Sequence, residues 1–314
     1  MKCLIIGLGS IAKKHIHVIE TYYPKIELFA YRSQLKSSVY SKVKNLYDWD
    51  AIENQSESWD VVMLCNPTVL HATILQKIMH WETAFFIEKP LFHSTLNNAS
   101  LVQSFQNKEQ LTYIACNLRF LDCLRFIKEY LSNTKEISSI QEVNSYCGSY
   151  LPDWRAGQDY KKVYSANKEM GGGVHLDLIH EVDYLYWLFG KPHEIHSLFR
   201  NQSKLQIDAV DYANYNLAYS HFVANIILNY YRRDTKRTLE LVFDDRTVLV
   251  NLLSNRVYEN DTLIFSSDQK GLDTYKLQLD YFLNLLSKGE SKSFNDIEAG
   301  WETLQICLNY ETKR

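Results

Sequence analysis

The sequence predicts an α/β protein: an N-terminal doubly wound parallel sheet, then a C-terminal α/β domain with an open, mostly antiparallel sheet. The length of 314 residues suits two domains of ordinary size. Short apolar runs alternate with helical patterns in the first third, as in parallel strands joined by crossover helices. Later strands are joined by turns too short for helices, which indicates antiparallel pairing. We expect the domains to span residues 1–118 and 119–314.

The predicted elements of the first domain follow one another as strand, helix and strand. Apolar runs predict strands at residues 2–6, 26–31, 61–65, 84–88 and 112–116. Between them, apolar residues recur three and four positions apart without internal proline, which predicts helices at residues 10–22, 69–81 and 95–106.

The second domain begins with a predicted helix at residues 121–131 and a half-polar strand region that ends at residue 150. A strongly apolar helix is predicted at residues 174–189. Strands are then predicted at residues 195–200, 212–219, 222–231, 239–243 and 247–252. Two helices, at about residues 274–287 and 297–310, complete the prediction.

Composition excludes several classes of protein. The chain is 46% hydrophobic and 23% charged, as in an ordinary globular protein. Its net charge of -3 provides no basic field for nucleic acid or for an anionic membrane surface. No apolar run approaches the roughly 18 residues of a spanning helix, so we expect no membrane partner.

The cysteines favour a reducing compartment. Six cysteines occur without a CxxC pair, which fits neither a disulfide framework nor a zinc site. An apolar run at residues 3–12 superficially resembles a short secretory signal, but its two glycines have a better explanation in the next motif. We therefore expect a cytoplasmic protein without a metal site.

A glycine motif joins the first strand to the first helix. Residues 7–12 read G-x-G-x-x-A, where Gly7 permits a tight turn and Gly9 allows a pyrophosphate to approach the backbone. The small Ala12 allows the helix to pack closely on the strand, and the helix start at Ser10 and Ile11 would face the phosphates. This pattern predicts a Rossmann domain that binds a dinucleotide.

The end of the second strand bears on the choice of cofactor. An acidic residue at this point commonly receives the ribose 2'-hydroxyl of NAD. Here the strand ends in Arg32 and Ser33, which would favour a 2'-phosphate. We predict NADP as the preferred cofactor and NAD as possible; the alternative is a solvated arginine that follows a strand.

Further motifs occur in a fixed order along the chain. They are Asn66-Pro67 with His71, then Glu88-Lys89-Pro90, then Asn117-Leu118-Arg119-Phe120, and then Gly171-Gly172-Gly173 before a helix with Asp177, His180 and Asp183. With the glycine motif, they resemble the Gfo/Idh/MocA oxidoreductases, named for glucose-fructose oxidoreductase and inositol dehydrogenase. The resemblance covers nearly the whole chain. Residues 151–190 most resemble members associated with bacterial surface-polysaccharide and nonulosonic-acid sugar pathways.

The resemblance implies an NAD(P)-dependent oxidoreductase that acts on a sugar or nucleotide-sugar hydroxyl or ketone. It also implies a homo-oligomer, either dimer or tetramer, formed through the open sheet. The residues expected near the cofactor are Asn66, Pro67, His71, Glu88, Lys89 and Asn117.

Lys89 is the predicted proton-transfer group. Oxidation of a secondary alcohol needs a base for the hydroxyl proton, and reduction needs the same group as an acid. Lys89 would lie at the carboxyl end of a strand, where α/β sheets bind their ligands. Glu88 is expected to orient it. The alternative is a surface lysine paired with Glu88.

A polar stripe marks the helix predicted at residues 174–189. Asp177, His180, Glu181 and Tyr184 fall within one arc of roughly 100° on an otherwise apolar helix. We expect a substrate-facing row in which His180 hydrogen-bonds the reacting oxygen and Asp177 orients it. Alternatively, these groups satisfy one another or face solvent.

The spacing of Asp177 departs from the family pattern. The family commonly separates this aspartate and histidine by three residues, whereas two residues lie between Asp177 and His180. Leu176 occupies the aspartate position of the family. Residues three apart still share a helix face, so Asp177 remains a candidate.

Three further residues are candidates for substrate binding. Trp154 can stack on a sugar, and Arg119 and Arg155 can receive carboxylate or phosphate groups. The alternative is that these side chains only pack and interact with solvent.

Two other functions remain open on the same fold. A tightly held nicotinamide reduced and reoxidised within one turnover would give redox-neutral glycoside cleavage or epimerisation. A non-catalytic NADP-binding regulatory module would need no proton relay, and the presence of Lys89 and His180 argues against it.

Overall fold

The chain forms two compact units in the computed structural model, which describes residues 1–32, 40, 42–132 and 137–309. The first unit comprises residues Met1–Cys116 and Gly271–Trp301, and the second comprises Asn117–Lys270 with the residues from Glu302 onwards. A division at residue 118 was expected from the sequence. The contacts instead group the segment Gly271–Trp301 with the first unit.

The first unit contains a six-stranded sheet in the order β3-β2-β1-β4-β5-β6, and every pairing is parallel. This confirms the predicted doubly wound parallel sheet. Its strands are β1 Lys2–Ile6, β2 Glu27–Tyr31, β3 Lys44–Leu46, β4 Val61–Leu64, β5 Ala84–Glu88 and β6 Thr112–Ala115. Its helices are α1 Ser10–Tyr22, α2 Trp49–Glu53, α3 His71–Ile78, α4 Ala99–Gln106, α8 Gly271–Ser287 and the first part, up to Trp301, of α9 Ile297–Cys307.

The core of this unit explains why α8 belongs to it. Residues of β4, β5 and β6 are all buried, as expected of central parallel strands. Phe282 of α8 packs edge-on against Phe86 of β5, with ring centres 5.4 Å apart. Tyr113 of β6 donates to Gln278 of α8. Apolar contact from α8 therefore completes a core that the N-terminal segment begins.

The second unit contains an eight-stranded sheet in the order β14-β13-β12-β11-β7-β10-β9-β8. Neighbouring strands are antiparallel except β7 and β10, which are parallel, so the prediction of a mostly antiparallel sheet is confirmed. Its strands are β7 Ile140–Gly148, β8 Glu194–Arg200, β9 Tyr212–Ala218, β10 Val223–Asn229, β11 Lys236–Phe243, β12 Thr247–Asn251, β13 Arg256–Glu259 and β14 Thr262–Ser266. Burial alternates along β9, which leaves one face buried and one face open.

The helices of this unit include α5 Asp122–Tyr130, α6 Val174–Asp177 and α7 His180–Phe189. One continuous helix at residues 174–189 was predicted, and the structure divides it. Leu178 has φ -101° and ψ 30°, which ends α6 before α7 begins at His180. Asp177 and His180 therefore lie on different helices.

Four short elements were not predicted: β3, α2, β13 and β14. Strand β14 has no fully buried residue, so its sequence lacks an apolar alternation. The turn before it contains Asn260 and Asp261 at positive φ, a conformation that these residue types tolerate. Among the described residues, no helix is long and apolar enough to cross a membrane.

Candidate active site

The glycine motif forms a narrow turn between β1 and α1. Gly7 has φ +90°, and a Cβ added there would lie 2.5 Å from the Asn66 Cα atom. A Cβ added at Gly9 would meet no described heavy atom within 4 Å. In the described part of the chain, no side chain caps α1, which begins at Ser10 and continues with Ile11. This open helix start fits the pyrophosphate of a dinucleotide.

Arg32 lies at the end of β2, as the sequence predicted. Its backbone N–H donates to the Leu46 carbonyl at 2.9 Å, and its Nη1 donates to Asn45 Oδ1 at 3.1 Å. The guanidinium is therefore tied to the neighbouring strand β3 while staying partly exposed. Ser33, the other residue predicted at this point, lies outside the described residues.

His71 connects two loops at the carboxyl ends of β4 and β5. Its ring nitrogens lie 3.0 Å from the Leu91 carbonyl oxygen and 3.1 Å from the Asn66 carbonyl oxygen. Burial lowers the pKa of His71. This geometry holds the Asn66-Pro67 segment in place, so His71 acts on the predicted cofactor region through the backbone.

Glu88 ends β5 and is 7% exposed. Its Oε1 atom lies 2.5 Å from Nε2 of His15, a fully buried residue of α1. The next residue, Lys89, is partly buried and precedes a cis peptide bond to Pro90. The His15–Glu88 contact therefore ties the helix of the glycine motif to the turn that carries Lys89.

His15 was not singled out from the sequence. It lies on the same face of α1 as Ala12, Ile16 and Ile19, which are all buried. A histidine on an apolar helix face was the available signal, because a buried polar side chain needs a partner.

Asn117 and Arg119 lie on a short 3-10 turn after β6. Arg119 is 2% exposed, and its Nε and Nη2 atoms donate to the two carboxylate oxygens of Asp183 at 3.0 Å and 2.7 Å. The pair joins this turn to α7. A guanidinium so engaged positions the turn, and direct contact with substrate would require this ion pair to open.

Asp177 of α6 accepts hydrogen bonds from two tyrosines. Tyr230 donates to Oδ2 at 2.5 Å, and Tyr164 donates to Oδ1. Burial and then the charge of Asp177 raise the pKa of both hydroxyls, so both remain donors at neutral pH. The carboxylate is 8% exposed and is held in one orientation.

The same two tyrosines bring the other predicted residues of this unit together. Trp154 packs edge-on against Tyr230, with ring centres 5.2 Å apart, and its Nε1 donates to Ser149 Oγ at 2.9 Å. The Arg155 guanidinium lies over the Tyr164 ring, 5.4 Å from its centre. We call Trp154, Arg155, Tyr164, Asp177 and Tyr230 the Asp177 cluster. Its tyrosines were missed because they lie 13 and 53 positions from Asp177, outside the helix predicted at residues 174–189.

The predicted polar row on the helix does not persist beyond His180. Glu181 is fully buried and pairs with Arg237 through a 2.6 Å contact to Nε. Tyr184 shares a 2.6 Å hydrogen bond with Ser145 of β7. These two side chains are satisfied by the sheet, whereas His180, at the start of α7, is only partly buried.

The described residues of each unit offer a distinct chemistry. The first unit presents the glycine turn between β1 and α1 and the Lys89 amine, which can carry a proton. The second presents a fixed carboxylate, a histidine and an indole ring, which suit a polyhydroxylated ligand. Among the described residues, no group of three or more His, Cys, Asp or Glu side chains is placed to hold a metal ion.

Comparisons with known proteins agree with this division. Residues 1–115 match the family model described as "Oxidoreductase family, NAD-binding Rossmann fold", and residues 127–249 match the "GFO/IDH/MocA C-terminal domain". Levoglucosan dehydrogenase from Pseudarthrobacter phenanthrenivorans is 25% identical over 146 residues, which are 46% of this chain and 36% of that protein. YteT from Bacillus subtilis, a putative oxidoreductase by name, is 23% identical over 145 residues, 43% of this chain and 31% of that protein. The chain thus matches about a third of the length of these curated relatives.

Solved structures show the same fold over nearly the whole chain. UDP-N-acetylglucosamine 3-dehydrogenase GnnA from Acidithiobacillus ferrooxidans has a TM-score of 0.77 at 18% identity, covering 98% of this chain and 96% of that one. WlbA dehydrogenase from Bordetella pertussis, in complex with NADH and UDP-GlcNAcA, has a TM-score of 0.81 at 16% identity, covering 100% and 95%. Two family models together cover more than half of the chain, and the chain therefore belongs to the Gfo/Idh/MocA oxidoreductase family.

Proposed function

We propose that this protein is an NADP(H)-dependent oxidoreductase that transfers a hydride between nicotinamide and a sugar or nucleotide-sugar carbon. The observation that carries the proposal is the end of β5, where Lys89 follows a buried carboxylate. Glu88 is held by His15 at 2.5 Å, so the turn with Lys89 is fixed to the helix of the glycine motif. A positioned amine beside a dinucleotide site is suited to alcohol–ketone chemistry.

The proposed chemistry divides between the cofactor and the side chains. Bound nicotinamide would supply the hydride acceptor in oxidation or the hydride donor in reduction. The Lys89 amine takes the hydroxyl proton when an alcohol is oxidised and returns it when a ketone is reduced. His180 donates a hydrogen bond to the reacting oxygen, the role expected from the polar stripe on its helix.

The Asp177 cluster is proposed to hold the sugar. Asp177 accepts from Tyr164 and Tyr230, which hold its carboxylate in one orientation toward a sugar hydroxyl. Trp154 offers an apolar ring and Arg155 a cation, which suit a sugar ring and an acidic substituent. Similarity to GnnA and WlbA, whose names or bound ligands include UDP sugars, supports a nucleotide sugar as substrate.

Cofactor preference is tested by titrating the purified protein with NADPH and NADH, after any copurifying nucleotide has been identified. We expect NADPH to bind more tightly, and Arg32→Ala to weaken NADPH binding about tenfold while NADH binding changes little. Lys25→Ala removes an exposed cation elsewhere in the same unit and serves as the control. Equal loss for both nucleotides would contradict the assignment of Arg32 to the 2'-phosphate.

Catalysis is tested with Lys89→Met in a screen of free and nucleotide-linked sugars. We expect turnover to fall at least about 100-fold with NADPH affinity retained, because the variant removes only the proton-transfer group. Tight retention of NAD without net redox change would instead favour the redox-neutral cycle. Absence of nucleotide binding would overturn the proposal.

We further propose a cytoplasmic homo-oligomer, dimer or tetramer, that acts in bacterial surface carbohydrate synthesis. The open face of the second sheet is the surface we assign to the oligomer contact; on it Asn216 donates to Asn225, which donates to Asn144. Val223 and Leu249 are exposed on the same sheet, at 43% and 37%. Sedimentation of the purified protein tests this, and a concentration-independent monomer would contradict it.

A further inference from the structure

A cleft of about 660 Å³ lies at one end of the second unit's sheet. The end of β8, the start of β9 and the segments that follow β7 and β10 form its walls. This volume is within the range of small-molecule sites, about 300–1,000 Å³. The residues that carry the argument are Tyr150, Arg200, Lys204, Tyr212, Tyr231 and Arg233.

The cleft is positively charged. Arg200, Lys204 and Arg233 are exposed, and none of them forms an ion pair with another described residue. Asp211 also lines the cleft, but it is 1% exposed, and its carboxylate accepts from the Ser203 N–H at 3.0 Å. The lining of the cleft thus carries three cationic side chains and one buried carboxylate, although the net charge of the whole protein is -3.

Aromatic rings line the same walls. The Arg233 guanidinium lies over the Tyr150 ring, 3.6 Å from its centre, which holds its planar face in one orientation. Tyr212 and Tyr231 add two further rings. Cations that present several donors beside aromatic faces suit a ligand with both phosphate groups and a planar base.

Two chain segments join this cleft to the Asp177 cluster. Tyr231 lines the cleft and directly follows Tyr230, whose hydroxyl donates to Asp177. Tyr150 lines the cleft and directly precedes the turn Leu151–Trp154, which carries the indole of the cluster. The cleft and the Asp177 cluster therefore share two chain segments, so that a change in either segment would affect both.

We propose that this cleft binds the diphosphate of a nucleoside diphosphate sugar, with the base against its tyrosine rings. The inference rests on the proposed function, since it narrows the substrate to a nucleotide-linked sugar. Arginine side chains would donate to the phosphate oxygens in pairs, and the lysine would add a third cation.

The test is calorimetric titration of the full chain, saturated with NADPH, with UDP and separately with inorganic pyrophosphate. We expect Arg200→Ala and Arg233→Ala each to weaken UDP binding about tenfold, because each removes charge-assisted hydrogen bonds to phosphate. Arg125→Ala in α5 is the matched control, because its side chain is 57% exposed and lies outside the cleft. We also expect UDP to bind more tightly than pyrophosphate.

Unchanged UDP affinity in both cleft variants would overturn the proposal. Pyrophosphate bound as tightly as UDP would overturn the assignment to a nucleotide, because an inorganic anion would then suffice. The NADPH titration of the same samples distinguishes failure of the cleft proposal from failure of the proposed function. Intact NADPH binding without UDP binding refutes only the cleft, whereas absent NADPH binding refutes the proposed function itself.

Discussion

Gly7 and Gly9 lie two positions apart, yet the same substitution should affect folding at Gly7 and cofactor binding at Gly9. At Gly7, φ is +90° and an added Cβ would lie 2.5 Å from backbone atoms of Asn66. Strain at such a backbone angle costs about 1–3 kcal/mol, and the contact with a backbone that cannot rotate away adds to it. We expect Gly7→Ala to lower the free energy of unfolding by about 3 kcal/mol or more.

Gly9→Ala should leave the fold intact. Gly9 has φ -83° and ψ -169°, an extended conformation open to alanine, and its added Cβ would meet no described heavy atom within 4 Å. Stability should change by less than about 1 kcal/mol. NADPH affinity should nevertheless fall about tenfold or more, because the methyl group lies where the pyrophosphate approaches the backbone.

The assays are urea unfolding followed by tryptophan fluorescence and NADPH titration, both applied to the two variants in parallel. The reasoning is refuted if Gly9→Ala binds NADPH as the wild type does. It is also refuted if Gly7→Ala unfolds at the same urea concentration as the wild type. The Asn66 backbone would then have moved away from the added methyl group without loss of stability.

Two further predictions concern buried charge and pH. Asp183→Asn should destabilise the second unit by about 3–5 kcal/mol, because it leaves the buried Arg119 guanidinium without its carboxylate. Urea unfolding measures this loss. An unchanged urea midpoint would show that the ion pair is dispensable for stability. Burial lowers the pKa of His175 from 6.5 to about 3, so the unfolded chain binds a proton that the folded chain does not. The free energy of unfolding should therefore fall as pH drops below 6.5, by up to about 1.4 kcal/mol per pH unit. Urea unfolding at several pH values should show a smaller slope for His175→Leu. The control His17→Leu, at an exposed histidine, should leave the slope unchanged.

The elements that the sequence predicted best have strong local signals. Strand β1, helix α1 and strand β5 have the predicted bounds, because apolar runs and the glycine motif mark their ends. Strands β3 and β14 were missed because they are short and owe their conformation to hydrogen bonds with a neighbouring strand. The division of the long predicted helix at Leu178 also has no local signal, since neither glycine nor proline marks the break.

The candidate site shows the same division between local and tertiary information. The glycines were found because their spacing along the chain carries a chemical pattern, and Glu88 and Lys89 were found from the end of a predicted strand and from the family resemblance. Their identification needed no structure, and the roles assigned to them stay predictions. Glu181, by contrast, shared the predicted polar row with His180, but Arg237 of β11 pairs with it inside the unit. A helix pattern shows which side chains share a face but not which partner that face meets.

Residue types and their periodicity thus indicated the two-domain α/β fold, the dinucleotide motif and the lysine at a strand end. Tertiary structure supplied the partners of these groups. His15 reaches Glu88 across 73 positions of sequence, and Tyr230 reaches Asp177 across 53. Hydrogen bonds depend on distances of about 3 Å in space, and the chain brings such residues together only when apolar burial has packed its strands and helices.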